Sequence, residues 1–179
     1  MTDRRRRFEA EALPHLDAAT NLARWLARPP LDADDIVQEA MLRAWRAFDS
    51  LRGTDVKPWL LTIVRNCFLT AAGKAKAGQA SPLPDDDSIT DRALVAEGDP
   101  ETVLLAGDAG RTLDGMLAAL PAQFREVLLL REMEDMSYAE IAQVTGVPLG
   151  TVMSRLARGR ALLRDQWLAK EGGRPNVLQ

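Results

Sequence analysis

The chain has 179 residues, 46% apolar, 27% charged and 5% aromatic, which suits one ordinary domain or two small ones and excludes a wholly disordered, collagen-like or low-complexity chain. A single cysteine, Cys67, makes no internal disulfide and excludes a multi-cysteine zinc or iron–sulfur site, so a reducing compartment is expected. The formal net charge of -3 argues against a simple polyanion binder, but it is unevenly spread: residues 78–99 are dominated by acids, whereas residues 147–164 carry Arg155, Arg158, Arg160 and Arg164 and no acid.

The basic start, Arg4 to Arg7, runs into Phe8-Glu9-Ala10-Glu11 and not into the apolar stretch of a signal peptide. No run is long enough to span a bilayer, so a soluble cytoplasmic protein without membrane insertion is expected. Leu13, Leu16, Ala19, Leu22 or Ala23, and Leu26 recur at helical spacing up to the break at Pro29-Pro30. Asp32 and Asp34 are placed to cap a second helix with Ile36 or Val37, Ala40 or Met41, Ala44 or Trp45, and Phe48 on its apolar face, ending at Leu51-Arg52-Gly53. Pro58 suits the first turn of a third, whose Leu60, Ile63, Val64, Cys67, Phe68 and Ala71 keep the same rhythm. Residues 8–77 thus read as a three-helix bundle.

Between Gly78 and Asp99 the periodicity stops, and Ser81-Pro82-Leu83-Pro84-Asp85-Asp86-Asp87 offers too little apolar bulk to offset its conformational entropy. Residues 78–99 are therefore expected to be a flexible acidic linker. A second unit, 100–170, begins at Pro100-Glu101 with a helix to about Ala119, weakened by Gly107, Gly110 and Gly115. Pro121 starts another, with Phe124, Val127, Leu128 and Arg131 on successive turns. Ser137 and Glu140 form a capping-box pair ahead of Ile141, Ala142 and Val144, and Gly146 suits the left-handed turn that follows. Pro148 opens a last helix with Val152, Leu156, Gly159 and Leu163 facing inward and basic residues outside. Two short helices joined by a glycine turn make a helix-turn-helix. The fold class expected is all-α, two small helical domains.

Asp32-Ala33-Asp34-Asp35-Ile36-Val37-Gln38-Glu39, Leu42-Arg43-Ala44-Trp45 and Trp59-Leu60-Leu61-Thr62-Ile63-Val64-Arg65-Asn66 resemble region 2 of bacterial extracytoplasmic-function sigma factors. The stretch from Leu120 to Arg131, then Ser137-Tyr138-Ala139-Glu140-Ile141-Ala142, then Gly150-Thr151-Val152 with Ser154-Arg155-Leu156, is similar to region 4 of the same family. The resemblance implies a dissociable subunit of RNA polymerase that recognises -10 and -35 promoter elements and helps open them for a stress or signal regulon, with no chemistry of its own. It implies core polymerase, promoter DNA and an anti-sigma factor as partners, with the anti-sigma factor clamping the two domains.

Asp35, Gln38 and Glu39 share one polar stripe at i, i+3 and i+4, a suitable counterpart to a basic helix of a partner. By resemblance this stripe docks on polymerase. The turn Asp49 to Lys57 and the following helix correspond to the part that captures an unstacked -10 base; Trp59, Arg65 and Asn66 supply a stacking face, a cation and an amide, although the spacing of Trp59 also fits core packing. After Asn66 the chain departs from the family: Thr70-Ala71-Ala72-Gly73-Lys74-Ala75-Lys76 stands where many relatives carry an aspartate and several arginines, which weakens the expected duplex grip. In the last helix Thr151, Ser154, Arg155 and Arg158 are expected off the buried face, within reach of base edges and phosphates of the -35 element, with Arg155 reading a base. Met153 stands where many relatives carry lysine, which suggests a lost phosphate contact or a thymine methyl. No catalytic residue, metal ligand, cofactor or small-molecule substrate is expected: His15 is the single histidine and Cys67 lies on an apolar face. A stand-alone helix-turn-helix regulator leaves the first bundle unexplained, and a sigma-like module that only titrates a partner remains the other alternative.

Overall fold

A computed structural model describes residues 3–27, 31–51, 55–77 and 113–172. The linker 78–99, most of the helix expected from Pro100, the Pro29-Pro30 break and the Arg52-Gly53 turn lie outside the described residues. Those described are all-α, as expected from the periodicity.

The first unit contains one helix more than the three-helix bundle anticipated. Helix α1 (Asp3–Glu11) precedes a 3-10 turn (Leu13–His15) and α2 (Leu16–Leu26). Arg5 Nε donates to Glu9 Oε1 at 2.7 Å, and Arg7 reaches Glu11 Oε1 at 3.5 Å, pairs at i, i+4 that support the helix on its outer face. On the inner face the Phe8 ring meets Trp45 and Phe48 edge-on at 5.2 Å each. Helix α3 (Ala33–Ala47) starts at Asp32, whose Oδ1 accepts from Asp34 N at 2.8 Å, the cap the sequence suggested. Helix α4 (Val56–Ala77) buries Leu60, Leu61, Val64, Cys67 and Phe68 between α2 and α3.

In the second unit, α5 (Leu113–Ala118) leads to α6 (Ala122–Leu128), which continues as a π-helical turn over Leu129–Met133. The wider turn places Leu129 and Leu130 both inside and ends at Glu134. Arg131 Nη1 donates to Met136 O at 2.8 Å and so ties down the next bend, where Asp135 adopts a positive φ of 51°. Helix α7 (Tyr138–Thr145) opens on the full capping box: Ser137 N donates to Glu140 Oε2 at 2.7 Å and Glu140 N to Ser137 Oγ at 3.3 Å. It closes on Gly146 at φ 70°. Helix α8 (Leu149–Gly172) buries Val152 and Leu156, and Gly159 lets it lie close on α6, where an added Cβ would come within 2.8 Å of Leu128 Cδ1.

The units share one apolar core. Helix α4 packs on α7 and α2 on α6, with Leu22 and Trp25 beside Leu129, Leu130 and Met133.

Ser137→Ala should lower unfolding stability by about 1 kcal/mol in urea titrations at neutral pH. Hydrogen bonds from Ser137, first its side chain and then its backbone, hold the Glu140 carboxyl below the usual carboxylate range. The stability contributed by Glu140 is therefore fully present above the ordinary glutamate range and is lost as the pH falls through the lowered value. The difference between wild type and Glu140→Gln should accordingly shrink on acidification.

Candidate nucleic-acid and protein interface

Three surfaces carry the candidate residues, and α4 borders two of them. Helix α3 presents Asp35 and Gln38 exposed on one side, with Glu39 half-buried a turn on. Glu39 Oε1 accepts from Arg43 Nε at 2.7 Å, and this bond holds its carboxyl below the usual range. Asp35 and Glu39 flank a pocket of about 240 Å³ between α3 and α4, lined also by Leu31, Asp32, Ile36, Cys67 and Ala71. Asp35 and Glu39 therefore wall a groove with apolar and acidic lining, suited to a partner helix that brings a cation and an apolar side chain together, while Gln38 lies outside that lining. Leu31, Cys67 and Ala71 were not assigned to this site from the sequence, because they come from the neighbouring loop and helix. The signal of Cys67 and Ala71 was apolar periodicity, which reads equally as core.

The candidates for single-strand contact do not form one cluster. Trp59 is partly buried, its ring tilted 55° against Phe48 at 6.4 Å, in keeping with the packing alternative. Asn66 is exposed. Arg65, the next residue back, points elsewhere: it is 3% exposed, and its Nε donates to Glu126 Oε1 on α6 at 2.7 Å. Asp55 Oδ1 accepts from Lys57 N at 3.1 Å at the start of α4, and the Lys57 ammonium reaches both Glu134 Oε2, at 2.9 Å, and Glu134 O, at 2.7 Å. Arg4 holds the preceding turn, with Nε 2.8 Å from Asp49 Oδ2 and Nη2 donating to Trp45 O at 2.6 Å.

On α8, Met153, Ser154 and Arg158 face solvent and Thr151 is half-exposed; Ser154 Oγ donates to Thr151 O at 3.0 Å. Met153 is 52% exposed, a large apolar group on the outward face. Arg155 departs from the expected position off the buried face, being only 7% exposed. It lies next to Leu156 and one turn after Val152, on the flank of the inward stripe, and the negative charge of Glu126 favours its inward setting. Glu126 is fully buried; burial pushes its carboxyl up, and the positive charges of Arg65, Arg155 and Arg125 offset part of that push. Arg160 is drawn to Glu132, its Nη2 2.7 Å from Oε1. Among the described residues no group of three or more His, Cys, Asp or Glu is placed to hold a metal.

Comparisons with known proteins match the two units in chain order. The profile described as Sigma-70 region 2 matches residues 13–77, and that described as Sigma-70, region 4 matches residues 110–163. The ECF RNA polymerase sigma factor SigE of Mycolicibacterium smegmatis is 35% identical over 87% of this chain and 59% of its own length, so the chain spans under two thirds of that relative. The ECF RNA polymerase sigma-E factor of Escherichia coli K12 is 36% identical over 77% of this chain and 75% of its own. Among solved structures, the sigma factor RpoE from Bartonella quintana, in complex with the anti-sigma factor NepR, superposes with a TM-score of 0.65 at 26% identity, covering 89% of this chain and 96% of that one. CnrH in complex with the cytosolic domain of CnrY gives 0.61 at 25% identity, over 92% and 90%.

Burial raises the Cys67 thiol above its ordinary value, so it should stay a thiol at neutral pH. Native chain treated with iodoacetamide and weighed by mass spectrometry should be modified far more slowly than chain in urea.

Proposed function

The chain belongs to the extracytoplasmic-function family of bacterial RNA polymerase sigma factors, and we propose that it binds core polymerase and directs it to promoters with -10 and -35 elements, whose opening it assists. The observation that carries this reading is the presence in one chain of an acidic docking groove on α3 and a helix-turn-helix whose outer face offers Met153, Ser154 and Arg158. A stand-alone regulator needs the second surface but has no use for the first.

In the groove, Asp35, Gln38 and Glu39 meet a basic polymerase helix, with Arg43 giving up Glu39 to the incoming cation. In the duplex, Arg158 contacts phosphate, Thr151 and Ser154 reach polar edges and Met153 meets a thymine methyl. Asn66 bonds an unstacked base at the -10 element. Arg65 and Arg155 join the single-strand and duplex contacts once they leave Glu126. Among the described residues no helix is long and apolar enough to cross a membrane, and the work proposed is cytoplasmic. An anti-sigma factor that covers the same surfaces would compete with polymerase by mass action; the solved complexes of RpoE with NepR and of CnrH with CnrY support this partner class.

Transcription from a promoter library by purified chain with core polymerase, followed by sequencing of start sites, tests the whole reading: a recurrent pair of upstream elements is expected, and random starts would overturn it. Asp35→Lys with Glu39→Lys should abolish co-purification with core polymerase while leaving the helical content intact by circular dichroism. Arg158→Ala should weaken binding to all duplexes alike and reduce the salt slope of affinity by about one unit.

A further inference from the structure

We infer that Leu149 and Met153 form an apolar edge on α8 that reads C5 methyl groups in the major groove, so that the upstream duplex is chosen in part by methyls carried on thymine or on 5-methylcytosine. The inference deepens the placing of α8 in the duplex given above and rests on it.

The outward face at the start of α8 carries three rows. Gly150, Ser154 and Ala157 are exposed at i, i+4 and i+7, a row of small residues down the middle. An added Cβ at Gly150 would meet open space, so nothing at this point holds the helix away from what it approaches. Thr151 and the solvent-facing Arg158 make a polar row on one side. On the other side lie Leu149 and Met153, 49% and 52% exposed. The exposure of Leu149 does not come from a frayed end: Thr151 N and Val152 N both donate to Pro148 O, at 2.9 and 3.1 Å, which closes the first turn. Further along the apolar side stands Arg160, whose charge is answered by Glu132 at 2.7 Å. Attraction for phosphate is thus concentrated beside Arg158, and the opposite edge is left to apolar contact.

Single exposed apolar side chains are ordinary on a protein surface. Two on successive turns at the start of a recognition helix sit where such helices meet base edges. The one apolar group that unmodified base pairs show in the major groove is the C5 methyl of thymine, and cytosine gains the same group on methylation. Four residues of helix advance by about 6 Å and successive base pairs rise by about 3.4 Å, so the two side chains reach methyls on adjacent or next-adjacent pairs. The small central row lets the backbone come close enough for both contacts, and the flexible thioether of Met153 adapts to the step it meets. Covering one methyl should be worth about fourfold in affinity, and covering two about fifteenfold.

The test uses the full chain bound to core polymerase and a pool of random-sequence DNA duplexes, from which bound duplexes are selected and sequenced. The upstream element recovered is then resynthesised with deoxyuridine in place of each thymine in turn, and with cytosine or 5-methylcytosine, paired with guanine, at the same steps. Deoxyuridine should weaken binding about fourfold at one or two steps, and 5-methylcytosine should bind better than cytosine there by a similar factor. Leu149→Ala and Met153→Ala should each remove the preference at one step, a readout that a merely structural role would not move. Met153→Lys should remove it as well and steepen the salt slope of affinity by about one unit. Equal binding of 5-methylcytosine and cytosine, with deoxyuridine still disfavoured, would assign the methyl to thymine alone. If no recurrent upstream element is selected, the sigma-factor reading and this inference fall together. If an element is selected but deoxyuridine is tolerated throughout, or its cost persists in both alanine variants, the methyl reading alone falls. Weaker co-purification of Leu149→Ala with core polymerase, with thymine and deoxyuridine bound equally by the wild type, would make the edge a protein contact and overturn the inference too.

Discussion

A carboxyl without access to water either takes a proton or is answered by positive charge, and the side chains around Glu126 organise the space between the two units. Charge buried alone costs several kcal/mol, and removing one member of a buried pair typically costs about 3–5 kcal/mol because its partner is left stranded. Arg65 meets this demand from α4, Arg155 from α8, and Arg125 adds its charge from the same helix as Glu126. Arg125 is itself anchored by a bond from Nη1 to Ala118 O at 3.0 Å. The inward setting of Arg65 and Arg155 thus answers one acid, alongside the apolar core that packs α4 and α2 against the second unit.

Helix α4 shows how a single element serves several tasks through its period. Leu60, Leu61, Val64 and Phe68 make the core of the first unit; Cys67 and Ala71 line the acidic groove; Asn66 faces solvent; Arg65 faces the second unit. Consecutive residues on a helix point about 100° apart, so Arg65 and Asn66 cannot serve the same surface while Arg65 holds Glu126. The groove and the seam lie on different sides of this helix, and a protein partner in one need not displace the other unit.

Most of the fold was legible in the sequence where local physics decides it. The Asp32 cap, the Ser137 and Glu140 box, the left-handed Gly146 and the inward row of Val152, Leu156 and Gly159 stand as the spacing indicated, because each depends on neighbours within a turn or two. Helix α1 was passed over, although the Arg5–Glu9 and Arg7–Glu11 spacings announce it, because its charged run obscured the single inward ring of Phe8. The polar stripe on α3 was visible as a stripe but its groove was not, since Cys67 and Ala71 reach it from α4. The positions of Arg65, Arg155 and Lys57 were out of reach for a different reason. Each is set by an acid more than twenty residues away, and periodicity carries no information about a charge brought in by tertiary packing.

The first helix also bears on the loop that the family uses for base capture. Arg4 bonds Asp49 and the Trp45 carbonyl and lies over the Trp45 ring at 4.4 Å, while Arg7 sits over the Phe48 ring at 5.5 Å. Phe8 wedges between the same two aromatic residues, and Phe48 in turn braces Trp59. The region matched by the family begins only at residue 13. A fragment cut to that boundary would discard the clasp of Arg4, Arg7 and Phe8 on Trp45, Phe48 and Asp49, so domain limits drawn by likeness to relatives omit a part of this chain on which the end of α3 is built.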